Sequence, residues 1–281
     1  MRTFKVLTDS TVHLTQEEID MYGITIVPLS TMLNGEIHED GSDAEKALFL
    51  EKMMASEELP KSSQPSIGRY MDLYNQLTAD GSEVLAIMVT HTLSGTVECA
   101  RQAAALADGK ITVIDSEFCA RAMAFQVLEA ARCAEEGLSV EETLPRIDAT
   151  RSKTILYISI VDLTNMIKGG RIGRTLGAVS QMLNLKVNLS MINGALETDS
   201  KGRGKKSIIK RYEKIIQEMK QAKVEILEVG ITHDGLSEYS EKIIQMLRDA
   251  LPHAHFETAY ASASVMTHAG AEAVSFQFLT K

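Results

Sequence analysis

Short apolar runs that alternate with capped amphipathic stretches constrain this chain more than any other feature. FKVLTD (4–9), ITIVPLS (24–30), VLAIMV (84–89) and ITVID (111–115) have the length and composition of buried strands. Helix signals lie between them: Thr15 with Glu18 and then Gly23, Ser42 with Glu45 after an Asn34-Gly35 turn, an amphipathic run over 67–79, and a start at Gly95. Strands joined through helices return parallel by right-handed crossovers, and both faces of such a sheet must be covered. Residues 1–152 are therefore expected to form a three-layer α/β/α domain with a mostly parallel sheet. A long helix from about residue 118 and a helix capped by Ser139 and Glu142 complete it.

The pattern changes after TILYISI (154–160). LKVNLSMI (185–192) runs into Asn193-Gly194, a pair suited to the positive φ of a two-residue hairpin. An amphipathic helix over 206–222, the strand VEILEVGITHD, a helix near 237–250 and the strands AHFETAY and AVSFQF follow. Residues 153–281 are expected to form a two-layer α+β domain with a mixed sheet. ASASVMTHAG, which carries His268, is read as a loop whose small residues let it pack closely on a ligand, with a satisfied structural histidine as the competing reading. A chain of 281 residues exceeds the usual size of a single core, in keeping with two domains.

Several function classes drop out on composition. No segment approaches the 18 or so continuous apolar residues of a membrane span, and the first ten residues lack a signal-peptide core, so a cytoplasmic protein is expected. A net charge of −9 disfavours nucleic acid, whose phosphates require clustered cations. Against that background, residues 201–214 hold seven Lys/Arg and the single acid Glu213, either a solvated helix face or a docking surface for an acidic partner. Cys99, Cys119 and Cys133 fit neither a disulfide framework nor a zinc motif. His253 and His255 lack the further ligands a metal would need.

In a parallel sheet, ligands gather outside the carboxyl ends of the strands. Asp9-Ser10-Thr11, HTLSGT (91–96) and Asp115-Ser116 fall there, and KSSQPS (61–66) adds a hydroxyl-rich, proline-stiffened turn. For Asp9, Ser66 and Ser116 ordinary caps and loop contacts are the expected roles. For Ser62 and Ser94 a ligand role stands level with that. Ser94 as a nucleophile with His91 or His268 as base is an alternative, but TLSGT lacks the first glycine of a nucleophile elbow. Gly95 and the helix start at Thr96 suit an anion better. KGGRIGRTLG (168–177) and KGRGKKS (201–207) match neither phosphate-loop pattern.

Taken in order, TDST (8–11), SSQPS (62–66), HTLSGT (91–96), IDS (114–116), KGGRI (168–172), KGRGKK (201–206) and His268 resemble the motifs of the DegV family, which includes the fatty-acid-binding, FakB-like subunits of bacterial fatty acid kinase. The resemblance implies a carrier that is not an enzyme alone, with a long-chain fatty acid as its ligand and no other cofactor. It implies that Ser62, Ser94 and His268 hold the carboxylate, and the helix start at Gly95-Thr96, read from the residues above, would join them. A separate ATP-dependent kinase subunit with a dihydroxyacetone-kinase-like domain would form the acyl phosphate for phospholipid synthesis, engaged through Arg171 and Arg203. Contact with a membrane surface would be transient. The chain departs from the family pattern in two places: Ser62 stands where threonine is usual, and HTGPG becomes HAGAE, with Ala271 and Glu272. A serine hydrolase acting on an acyl ester and a small-molecule sensor or interaction module are the competing functions.

Overall fold

The computed structural model describes residues 2–171 and 185–281. Packing divides the chain into two compact units, one made of residues up to Ser30, Ser62–Thr154 and Asn193–Ala195, the other of Thr31–Lys61, Ile155–Ile192 and Leu196–Lys281. Residues 31–61 thus belong with the second unit, whereas the sequence pattern placed them in a 1–152 domain. The reason is visible in their contacts: Leu33, Phe49, Leu50 and Met53 cluster with Ala261, Ala263 and Met266.

In the first unit, strands β1 (Phe4–Asp9) and β2 (Thr25–Val27) pair in parallel. The chain then passes through residues 31–61, which pack with the second unit, and forms β3 (Ser30–Leu33), β4 (Glu36–Glu39), helix α2 (Asp43–Ala55) and β5 (Lys61–Ser63), with the three strands making a small sheet in the order β4-β3-β5. Asn34 and Gly35, both at positive φ, make the predicted turn between β3 and β4. Strands β6 (Glu83–Met88) and β7 (Ile111–Asp115) complete an all-parallel sheet, order β2-β1-β6-β7. Leu7, Val84, Ala86 and Met88 bury one face under α3 (Ile67–Thr78) and α4 (Thr96–Ala104), through Tyr70, Tyr74, Val97 and Ala100. Leu85 and Ile87 alternate to the opposite face, where α5 (Ala120–Glu136) packs on β1 and β6 and carries α6 (Val140–Ser152). That arrangement is the three-layer α/β/α architecture.

The second unit centres on a six-stranded mixed sheet. It contains β8 (Thr154–Ile160), β9 (Leu185–Ile192), β10 (Ala195–Arg203), β11 (Ile226–His233), β12 (His255–Tyr260) and β13 (Val274–Thr280), in the order β10-β9-β8-β13-β11-β12. Helices α8 (Lys205–Gln221) and α9 (Glu238–Ala250) bury Ile208, Tyr212, Ile243 and Leu247 against Val229, Ile231, Phe276 and Phe278. Each such side chain contributes about 1.5–3 kcal/mol through burial. Helix α7 (Thr164–Lys168) closes a smaller cluster with Leu163, Met166, Val187 and Leu189. Around His268 the expected loop is instead helix α10 (Ala263–Ala269). Ser262 Oγ accepts from Val265 N, Asp40 Oδ1 accepts from Ala263 N, and Gly270 at positive φ stops the helix. No helix among the described residues is long and apolar enough to cross a membrane.

One ion pair fixes the first helix, α1 (Gln16–Tyr22), to α5. Arg121 is almost wholly buried and meets both oxygens of Glu18 at 2.6 Å, while Glu18 also closes the capping box with Thr15. Burial pushes the Glu18 carboxyl up, but the Arg121 hydrogen bonds and charge prevail and hold it below the usual range. Removing one member of such a pair strands the other. Arg121→Ala should therefore cost about 2–4 kcal/mol in urea unfolding. Arg121→Met with Glu18→Gln should recover most of it, and equal stability of the alanine variant and wild type would refute this account.

Candidate functional site

The candidate site in the first unit begins where β6 stops. Asp9, fully buried at the end of β1, accepts hydrogen bonds from Val89 N at 2.7 Å and from Thr11 N and Oγ1 at 2.9 and 2.6 Å. Burial raises its carboxyl pKa despite those three donors. Its role is to bracket two strand ends. Ser66 caps α3 through Arg69 N, and Ser116 donates to Phe118 O and accepts from Phe118 N. These are the structural roles expected of them.

Beyond Val89 the chain turns sharply. Leu93 N and Ser94 N both donate to Thr90 O, at 3.1 and 3.2 Å. The Thr90 and Thr92 hydroxyls donate to Gly194 O, which seats the Asn193-Gly194 hairpin tip on the turn. A Cβ on Gly194, at φ +76°, would lie 3.0 Å from Thr90 Oγ1. Half-buried Ser94 follows, its Oγ 2.8 Å from Thr96 Oγ1 and accepting from Thr96 N at 3.3 Å. Gly95 is the N-cap of α4 and has no side chain to cap it. Of the first-turn amides of α4, Thr96 N is taken by Ser94 Oγ, and those after it receive no N-cap side chain, at the positive end of the helix dipole.

Ser62 lies in β5, and the segment after it closes on the same helix end. A Cβ on Gly95 would come within 2.2 Å of Gln64 Oε1, so a larger residue there would push the Gln64 side chain aside. Cys99 Sγ donates to Pro65 O at 3.2 Å. The two hydroxyl-rich segments of the sequence thus converge on the amino end of α4.

Sequence reasoning missed the partner of His91. Its Nδ1 lies 2.7 Å from Asp115 Oδ2, which also accepts from His91 N at 3.1 Å. The pair resembles two members of a hydrolase relay, yet the Ser94 hydroxyl is engaged with Thr96 and makes no hydrogen bond to His91 among the described residues. The signal was present: IDS ends the strand next to β6, at the same sheet edge.

In the second unit, half-buried His268 occupies the last turn of α10. Its ring lies so close to α7 that a Cβ on Gly169 would meet Nδ1 at 2.4 Å. Asn165 Nδ2 donates to Thr267 O at 3.1 Å, and Arg171 Nη1 donates to Gly169 O at 2.7 Å. Burial, then the Arg171 charge, lowers the His268 pKa to about 4. Near neutral pH the imidazole is uncharged, one nitrogen a donor and the other an acceptor. Glu272, the family departure four residues on, directs its carboxylate to Lys205 Nζ at 2.6 Å and its backbone N to Asp234 O at 2.7 Å. It sits at φ +61°, where glycine is favoured by about 1 kcal/mol. Arg203 is exposed at the end of β10, and Ile172 of KGGRI with the rest of KGGRIGRTLG lies outside the described residues.

The depressed His268 pKa predicts a stability trend. An unfolded chain protonates this histidine near 6.5, the folded protein only near 4, so the unfolded state binds more protons in between. Stability falls as pH drops through that window and is unaffected by this group above it. His268→Gln should flatten the acid limb of a denaturation-midpoint profile by about 2 kcal/mol, and parallel profiles would contradict the assignment.

Comparison with known proteins bears on the whole chain. The family model described as "Uncharacterised protein, DegV family" matches residues 3–281. A DegV domain-containing protein of Listeria monocytogenes is 38% identical over 281 residues, covering 100% of both chains. One from Streptococcus pneumoniae is 37% identical over 273 residues, 97% of each. Among solved structures, DegV from Bacillus subtilis, described as a fatty acid binding protein, superposes with a TM-score of 0.89 at 26% identity, covering 100% of both chains. A Thermus thermophilus DegV family protein described for its fatty acid binding gives 0.87 at 27% identity, again over 100% of both. The fold, the order of the motifs and these relatives lead to one assignment: the chain belongs to the DegV family.

Proposed function

We propose that this protein is a cytoplasmic carrier of long-chain fatty acid that presents the acid's carboxylate to an ATP-dependent kinase subunit with a dihydroxyacetone-kinase-like domain, which would form the acyl phosphate. The observation that carries the reading is the amino end of α4, left without a side-chain cap and bordered by the Ser94 and Thr96 hydroxyls. It is a place to receive an anion, in a chain whose relatives from B. subtilis and T. thermophilus are described as binding fatty acids.

The energetics favour such a ligand. A dozen buried methylenes offer on the order of 10 kcal/mol before ordering costs. An unpaired buried carboxylate costs several kcal/mol, and each charge-assisted hydrogen bond returns about 1.5–3 kcal/mol, so two or three donors are needed. In this reading Ser62, Ser94, the Gly95-Thr96 helix start and the neutral imidazole of His268 supply them. Serine at position 62 keeps the hydroxyl that the usual threonine provides. Glu272, committed to Lys205, leaves His268 its donor role. Arg171 and Arg203 serve the kinase partner. The carrier supplies no catalytic residue, and the missing Ser94–His91 bond weighs against the hydrolase alternative.

Ser94→Ala removes one head-group donor while leaving the fold intact. Mass spectrometry of the organic extract from undenatured protein should find fatty acid in the wild type, and the variant should retain it about tenfold less tightly. Equal retention would overturn the Ser94 role. Steady turnover of an acyl ester, with fluorophosphonate labelling of Ser94, would replace the carrier reading by the hydrolase.

A further inference from the structure

Resting on the carrier reading, we infer that the tip of the β9–β10 hairpin aims the Ser94 hydroxyl at the fatty acid's carboxylate, with Thr90 and Thr92 as the positioning residues that carry its effect. One carbonyl does the aiming. Gly194 O accepts from Thr90 Oγ1 at 2.8 Å and from Thr92 Oγ1 as well, so both of its lone pairs go to hydroxyls 104 and 102 residues away in the chain. Residues Asn193–Ala195 pack as part of the first unit, and Asn193 and Gly194, both at positive φ, make the tight turn that presents this carbonyl.

The seat for the tip is closely fitted. Gly194 is buried, and a Cβ there would lie 3.0 Å from Thr90 Oγ1 and 3.4 Å from Glu117 Cβ. Asp115 fixes two sides of the seat. Its Oδ1 accepts from Glu117 N at 2.8 Å. Its Oδ2 accepts from His91 N at 3.1 Å and lies 2.7 Å from His91 Nδ1, on the residue between the two threonines. The His91–Asp115 pair thus has a use here that involves no proton transfer.

Thr90 passes the constraint on. Its carbonyl accepts from both Leu93 N and Ser94 N, so a rotation of the backbone at 90–92 turns Ser94 with it. Asp9 settles where β6 ends, through Val89 N, and the Thr90 amide, bound to Phe118 O at 3.0 Å, anchors the first residue of the turn. The hydroxyls at 90 and 92 then settle how the turn is tilted on that anchor. A half-buried serine that must meet a carboxylate depends on this tilt, because a hydrogen bond weakens steeply as donor and acceptor move out of line. Valine has nearly the shape of threonine and lacks only the hydroxyl, so it isolates the contact with Gly194 O.

The test titrates the full chain, stripped of bound lipid, with oleate in four forms: wild type, Thr92→Val, Ser94→Ala and the double variant. Thr92 is exposed, so its substitution leaves the core intact. Thr92→Val should raise the dissociation constant about fivefold in the wild-type background and by less than about twofold once Ser94 is already alanine, since residues that act through one another are not additive. Thr92→Ser, which keeps the hydroxyl, should restore the wild-type constant. Equal losses in the two backgrounds overturn the inference, because the threonine would then act without Ser94. So does a Thr92→Val protein that binds oleate as wild type does, even with a lowered urea midpoint, the mark of a purely structural bond. Ser94→Ala that binds oleate as tightly as wild type removes the Ser94 role and this inference but leaves the carrier reading standing. Wild type that binds no oleate overturns the carrier reading itself and this inference with it.

Discussion

A buried carboxylate sets where the first unit's chemistry can occur. Asp9 gathers Val89 N, Thr11 N and Thr11 Oγ1 around one side chain, so β1 and β6 stop at a common level. Everything beyond that level is loop and helix start. The turn at Thr90, the hairpin tip on it and the uncapped end of α4 all take their positions from that stop. A hydrocarbon side chain at position 9 would leave the Val89 amide buried without an acceptor, and the turn would lose its fixed origin.

Much of this was legible in the sequence because local signals and tertiary packing agreed. The Thr15/Glu18, Ser42/Glu45 and Ser139/Glu142 capping boxes all form, and the Asn34-Gly35 and Asn193-Gly194 pairs take positive φ. Where the two disagreed, the pattern misled. ITIVPLS reads as one strand but divides into β2 and β3 around Pro28, which lacks the amide a continuous ladder needs. The run ASASVMTHAG looked like a loop because small residues carry little periodicity. It is a helix because Ser262 and Asp40 satisfy its first amides and Met266 has a cluster to enter, and Asp40 is 223 residues away from the Ala263 it caps.

Site residues were harder to place than elements. Ser94 and Gly95 announce themselves by following an apolar strand. The His91–Asp115 contact does not, because it depends on β7 lying beside β6, a fact of sheet order. Glu272 is the reverse case. In the sequence it is an acid four residues from His268, and only the Lys205 contact reveals where its charge is spent.

The division of the chain bears on how the protein can be taken apart. The backbone passes from one unit to the other at 30/31, 61/62, 154/155, 192/193 and 195/196, so neither unit is an uninterrupted stretch of the gene. A fragment ending near residue 152 would carry Leu33, Phe49, Leu50 and Met53 without Ala261, Ala263 and Met266, the residues that shield them from water. Such a protein does not lend itself to being shortened, fused at an internal seam or recombined in halves.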